Sequence, residues 1–210
     1  MIVDLLYGRT GLPVRFDDDM DVTVIAKPPM PLIPDPDTAV RQALAAPVGC
    51  APIADLARDG NSACILICDV TRPVPNNLLL RPLIETLLDA GVDAGNITVL
   101  VATGLHRPNL GAELAELVGD SWVLDRVAVE NHDARDDAAH VDFGETPTLG
   151  TPVKLDRRFV EADLRIATGL VEPHFMAGYS GGRKVVAPGI AHADTIRTFH
   201  SARFLENPCA

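Results

Sequence analysis

No apolar run in this chain approaches the ~20 residues needed to cross a bilayer. The N-terminal Met1-Ile2-Val3-Asp4-Leu5-Leu6 has neither the basic start nor the long apolar stretch of a secretory signal. Positive charge is scarce: 18 Lys and Arg stand against 29 Asp and Glu, a net charge of −11. That balance argues against nucleic acid and anionic membrane surfaces as partners. Cysteine is sparse, and Cys50, Cys64, Cys68 and Cys209 follow no common zinc spacing, so they read as reduced thiols and the protein as cytoplasmic. No G-x-G-x-x-G opens a helix, and Ser180-Gly181-Gly182-Arg183-Lys184 runs into Val185 rather than the Ser or Thr of a P-loop. Gly178-Tyr179-Ser180-Gly181-Gly182 has the G-x-S-x-G spacing but sits inside a longer glycine-rich loop, and no nucleophile elbow is expected there. A standard dinucleotide fold, a P-loop nucleotidase and a nucleophile-elbow hydrolase are thereby disfavoured.

The 210 residues, 47% hydrophobic but only 4% aromatic, suffice for one aliphatic core. Ile2 to Tyr7 and Leu12 to Phe16, joined through Gly8 to Gly11, predict a hairpin, and Val22 to Ile25 a further short strand. Lys27 to Pro36 holds five prolines and predicts an extended linker. A short helix is expected over Thr38 to Ala46, capped by Asp37. From about residue 60 the pattern alternates between strand and helix. Ala63 to Cys68, Ile97 to Ala102, Trp122 to Val129 and Leu164 to Leu170 read as buried strands. Helices are expected from Asn76 or Asn77 to Ala90, near Gly111 to Val118, and over Ala193 to Leu205. The expected class is α/β: a mostly parallel, Rossmann-like sheet with helices on both faces, plus a small N-terminal β unit. Ligands of such sheets sit beyond the carboxyl ends of the strands, and all four strand exits here carry polar clusters.

The densest of these is Glu172-Pro173-His174-Phe175-Met176-Ala177-Gly178-Tyr179-Ser180-Gly181-Gly182-Arg183-Lys184. Glycines admit an anion close to backbone N–H groups, and Arg183 is expected to disfavour the charged form of Lys184, making its amine more nucleophilic. Asp69 and Arg72 follow the first core strand. Arg72 offers a planar fork to a carboxylate or phosphate, though a local Asp–Arg pair bracing a turn accounts equally well for the two. His106 follows Thr103-Gly104-Leu105, with Arg107 beside it to keep the imidazole neutral, as suits a general base; a satisfied loop histidine is the plainer reading. His174 with His106 forms a candidate proton-shuttling pair. His200, on the last helix, is either a partly buried helix residue or a metal ligand. His132, His140 and His192 read as structural.

Asp69-Val70-Thr71-Arg72-Pro73, Gly104-Leu105-His106-Arg107-Pro108, the Glu172 to Lys184 loop, Pro188-Gly189-Ile190 and Thr198-Phe199-His200 together resemble the lactate racemase family, in the right order across nearly the whole chain. The resemblance implies a nickel-pincer nucleotide, a nicotinate-derived mononucleotide with sulfur-bearing thioamide and thiocarboxylate substituents on its pyridinium ring. It implies Lys184 as the covalent tether, His200 as the nickel ligand, and His106 and His174 as the acid/base pair. Arg72 is then the substrate-carboxylate ligand, with Asp69 close to the cofactor or to a catalytic histidine. Thr103, Gly104, Ser180, Gly181, Gly182 and Arg183 are expected around the nucleotide phosphate. The implied activity is racemisation or epimerisation of a small, lactate-like 2-hydroxy acid by proton-coupled hydride transfer. Alternatives are an oxidoreductase or lyase using the same cofactor, or a non-catalytic nucleotide- or phosphate-binding module. Dedicated maturation enzymes are implied as partners. Residues 1–36 are read as the β unit and linker of the same domain as 37–210, the α/β cofactor-binding part. The family's second α/β domain is expected to be absent, with Glu206 to Ala210 an interrupted segment, so that efficient turnover calls for the missing half.

Overall fold

The computed structural model describes residues 1–206 apart from Arg9 and Asp59. Cys209, the segment from Asn207 onward and Arg9 within the expected Gly8 to Gly11 turn therefore lie outside the described residues. The chain divides into two compact units, Met1–Pro34 and Asp35–Ala210.

In the first unit, β1 (Ile2–Leu5) and β2 (Leu12–Arg15) pair antiparallel, with Val3 opposite Val14. The strand expected at Val22 to Ile25 is absent: these residues lie in backbone without regular structure, where neither neighbour offers a ladder partner.

The second unit begins with α1 (Pro36–Ala45), two residues earlier than expected, because Asp35 rather than Asp37 caps it by accepting from the Thr38 amide at 3.1 Å. A single turn, α2 (Ile53–Leu56), precedes β3 (Ala63–Cys68). Then follow α3 (Asn76–Asp89), β4 (Ile97–Ala102), α4 (Ala112–Val118), α5 (Ser121–Arg126) and β5 (Ala128–Asn131). Asn76 does not cap α3; its buried amide donates instead to the Leu117 carbonyl at 2.9 Å. The strand expected over Trp122 to Val129 is a helix followed by a strand. Asp120 accepts from the Trp122 amide and starts α5, leaving β5 to begin only at Ala128.

An antiparallel pair, β6 (His140–Glu145) and β7 (Pro152–Asp156), leads through α6 (Arg157–Val160) to β8 (Leu164–Ala167). The glycine-rich loop then forms a minute hairpin, β9 (Pro173–His174) and β10 (Gly178–Tyr179), before α7 (Arg183–Val186). The expected last helix is broken into α8 (Ala193–Phe199) and α9 (Ala202–Leu205), with His200 at the break.

The central sheet has the order β5-β4-β3-β8 and is parallel throughout. Period two sends Ile65, Ile67, Val99 and Val101 to one face, against Leu80, Ile84 and Leu87 of α3 and Val118 of α4. Cys64, Leu66 and Leu100 point to the other, against Val185 of α7 and Ile190. Both faces are covered, which explains why β3 and β4 read as unbroken apolar runs. Burial pushes the Cys64 thiol up to about 12, while Cys50 is exposed. In a Cys209→Ser chain, a thiol reagent at pH 8 is therefore expected to modify Cys50 at once and Cys64 only after denaturation. Thiol titration with peptide mapping checks this.

Candidate active site

The chain runs β3, β4, β5 outward in one direction and then returns to place β8 on the other side of β3. The switch point therefore lies beside β3, and the crevice beyond it is where such sheets bind ligands. A cavity of about 530 Å³ occupies that place. The β3 exit supplies Cys68, Asp69, Thr71 and Arg72; the β4 exit supplies Thr103, Gly104 and His106. The segment after β8 supplies Leu170, His174, Ser180, Gly181 and Lys184, and α8 with its break supplies Arg197 and His200. Three of the four strand exits thus converge; the β5 exit, with His132, does not line the cavity.

Asp69 is buried, and its Oδ1 accepts from the Thr71 hydroxyl at 2.6 Å. Its Oδ2 lies 2.6 Å from His106 Nδ1. A carboxylate only accepts, so Nδ1 carries the proton and the neutral ring presents its lone pair at Nε2. The expectation that Arg107 governs His106 is overturned. That guanidinium is drawn away by a two-pronged pair to Glu113, at 2.6 and 2.7 Å, and holds the Glu113 carboxyl down at about 2.

His174 has the opposite tautomer. Its Nδ1 accepts from the Met176 and Ala177 amides at 3.3 and 3.2 Å, which leaves the proton of the neutral ring on Nε2. Burial, then the charges of Lys184 and Arg72, hold this imidazole below its usual range. Lys184 is likewise held below the ordinary lysine range, first by burial and then by Arg72. The depressing cation is thus Arg72 across the cavity rather than the adjacent Arg183; Arg183 and Gly182 do not line the cavity. Arg72 itself is only loosely engaged, its Nε lying 3.9 Å from Glu172 Oε1. His200 donates from Nδ1 to the Ile196 carbonyl at 2.8 Å, which leaves Nε2 with a free lone pair when the ring is neutral.

Two expected ligand contacts are already spent internally. The Thr103 hydroxyl donates to the His132 carbonyl at 2.8 Å. The Ser180 hydroxyl donates to the Leu170 carbonyl and accepts from the Glu172 amide, closing the loop on itself. What these segments offer a ligand is therefore backbone, at Gly104 and Gly181, both with φ in the left-handed region, +55° and +73°. Gly189 forms the tightest approach: a Cβ there would sit 2.0 Å from the Val185 carbonyl oxygen and 2.9 Å from Ala102 Cβ. Gly189→Ala is expected to push α7 off the sheet, destabilising the chain by roughly 1–3 kcal/mol or more and loosening Lys184, as measured by denaturant unfolding.

Cys68, Thr71 and Arg197 line the cavity without having been singled out. Arg197 was legible, since three residues before His200 on one helix places both on the same face. Among the described residues it makes no ion pair. Arg72, Lys184 and Arg197 give this acidic chain a local cationic pocket, with Asp69 its buried anion.

The description of the lactate racemase N-terminal domain matches residues 7–210. The chain belongs to that family. It is 34% identical to the lactate racemase of Lactiplantibacillus plantarum, the match covering 99% of this chain and 49% of that protein. To the lactate racemase of Thermoanaerobacterium thermosaccharolyticum it is 37% identical, over 81% of this chain and 39% of that protein. The structure of the lactate racemase apoprotein from the latter organism superposes with a TM-score of 0.79 at 32% identity, covering 99% of this chain and 48% of that one. The chain thus spans about half the length, or less, of the curated relatives it matches. The family and the α/β class expected from the sequence are both found. Among the described residues no helix is long and apolar enough to cross a membrane.

Proposed function

We propose that this chain is the cofactor-bearing part of a racemase or epimerase of a small, lactate-like 2-hydroxy acid, working with a nickel-pincer nucleotide tethered to Lys184. The observation that carries the reading is one cavity holding two histidines of opposite tautomer, a loosely engaged arginine and a lysine depressed below its ordinary range.

The donor set fits the group. Burial and Arg72 favour the neutral, nucleophilic amine of Lys184 that acylation needs. His200 offers a lone pair at Nε2. Among the described residues no cluster of three or more His, Cys, Asp or Glu is arranged to hold a metal. A metal held in a pincer would bring its other donors and need only one from this chain, which His200 offers. Gly104, Gly181 and Arg197 suit the phosphate. When bound, the nickel–pyridinium group supplies a reversible hydride acceptor at the substrate's C2.

The chain's own residues do the rest. The Arg72 fork holds the substrate carboxylate and so orients C2 and its hydroxyl. Nε2 of His106 takes the hydroxyl proton, and Asp69 steadies the imidazolium that results. His174 serves the other face. Its free ring is held uncharged partly by the Lys184 ammonium. Leu170, Val185 and Ile196 give the cavity an apolar lining.

The maturation enzymes, the small 2-hydroxy acid and the remaining half seen in the longer relatives are the partners this reading requires. Intact-mass measurement after co-expression with cofactor-maturation enzymes and nickel tests it. A covalent adduct is expected on the native chain and none on Lys184→Ala; an adduct surviving in the variant would place the tether elsewhere.

A further inference from the structure

Three histidines from three segments pack together outside the residues lining the cavity. His132 follows β5, His140 opens β6 and His192 caps α8. Their ring centroids lie 5.1 Å apart for His132–His140 and 4.9 Å for His140–His192, both edge to face. All three are buried, and the His132 side chain has no exposed surface.

His132 differs from the other two in its partners. Nδ1 lies 2.9 Å from Asp156 Oδ2 and Nε2 lies 3.1 Å from the Ala191 carbonyl oxygen. A backbone carbonyl can only accept, and so can an ionised carboxylate. Asp156 is ionised. Burial alone would raise it, but the hydrogen bonds from His132 and Arg158 hold it well below the usual carboxylate range. Arg158 reaches it through the backbone N–H and through Nε at 3.0 Å each, and through Nη2 at 2.6 Å. For both His132 contacts to be hydrogen bonds, both ring nitrogens must carry protons.

The other charged and titratable groups nearby are compatible with one cationic ring. Arg158 also pairs with Glu130, so its charge is shared between two carboxylates. His140 donates from Nδ1 to the Asp136 carbonyl at 2.7 Å, and burial disfavours its charged form. Its Nε2 is buried and, among the described residues, without a partner, as fits a neutral ring. His192 accepts the Asp194 amide at Nδ1 (3.1 Å) and faces two carboxylates, Asp137 at 3.1 Å from Nε2 and Asp194 at 3.4 Å from Nδ1.

His132 touches both walls of the cavity from behind. Its amide donates to the Val101 carbonyl at 3.1 Å, and its carbonyl accepts from the Thr103 hydroxyl. Thr103 starts the turn carrying His106, whose amide donates back to the Thr103 carbonyl at 2.9 Å. Ala191, on the other side of the ring, lies in the connection between α7 with Lys184 and α8 leading to His200. The two walls meet directly where the Gly104 amide donates to the Gly189 carbonyl at 2.9 Å.

We propose that His132 is a buried imidazolium acting as a positioning residue: its two donated hydrogen bonds, to Asp156 and to the Ala191 carbonyl, hold the Lys184–His200 connection in register with the turn that carries His106. This assignment does not depend on the cofactor or on the reaction.

Histidine-labelled chain at neutral pH gives the first test. Nitrogen NMR is expected to find protons on both His132 nitrogens; a single protonated nitrogen would overturn the charge assignment. The second test is amide hydrogen exchange in His132→Gln, which keeps one donor and removes the charge. Exchange at Gly104 and His192 is expected to quicken by about tenfold or more while the amides of α3 keep their protection. Unchanged exchange at both turns would overturn the positioning role. Should the glutamine variant not fold, Asp156→Asn is read in the same way, and the measurement on the unaltered chain still decides the charge.

Discussion

Asp69→Asn is expected to lower kcat by on the order of 10²- to 10⁴-fold while leaving KM for the 2-hydroxy acid nearly unchanged. The oxygen bound to Thr71 has two donors, the hydroxyl at 2.6 Å and the amide at 3.3 Å, and stays where it is. The new NH₂ group must then take the place of Oδ2 and face His106 Nδ1. An NH₂ group donates, so His106 must accept at Nδ1 and carry its proton on Nε2. The ring keeps its place but presents a proton where the substrate hydroxyl needs a lone pair. Substrate contacts through Arg72 are untouched, hence the split between kcat and KM. Steady-state kinetics on the loaded protein together with the remaining half measure it. An unchanged kcat would mean that the Asp69–His106 pair only braces the turn.

Arg72→Ala is expected to act twice. Losing a hydrogen bond to a charged carboxylate costs about 1.5–3 kcal/mol, or roughly 10- to 150-fold in kcat/KM, with most of the loss in KM. The second effect is visible without cofactor or substrate. Arg72 is the second cause, after burial, of the lowered Lys184. A lowered value means that the neutral amine persists to lower pH. Removing the guanidinium must therefore move the midpoint of Lys184 acylation to higher pH, though not to the ordinary lysine range, because burial remains. Peptide mass spectrometry after timed acylation across pH 6–10 reads this directly. A midpoint that stays put or falls would show that the two cations do not sense each other.

The sequence read most clearly where burial was two-sided. Ala63 to Cys68 and Ile97 to Ala102 have covered faces above and below, so their apolar runs had few other interpretations. Trp122 to Val129 was misread because its apolar residues suit a strand and a short helix alike. The deciding signal was Asp120, a cap before the run rather than anything within it. The β6–β7 pair passed unnoticed, since its ladder is irregular between Asp142 and Glu145 and its outer half is exposed.

The cavity's membership was legible as polar residues at strand exits, and ten of the twelve residues named for it line it; Gly182 and Arg183 do not. What each member does was less legible. Adjacent charges in sequence, Arg107 beside His106 and Arg183 beside Lys184, proved to be poor guides. A side chain reaches far enough to leave its neighbour, and the partners that matter, Asp69 and Arg72, come from another strand exit. Thr103 and Ser180 show the same limit, their hydroxyls being consumed by backbone carbonyls that only the fold brings near.

The most direct test of the central claim follows the C2 hydrogen. Enantiopure lactate deuterated at C2 is incubated in ordinary water with the loaded protein and the remaining half, and the product is resolved by chirality and mass. If Arg72, His106 and His174 serve a hydride that leaves C2 and returns to it, the inverted product keeps its deuterium while the hydroxyl proton exchanges freely. Inverted product that has lost its deuterium to solvent would contradict the account, because it would show inversion by removal of a C2 proton.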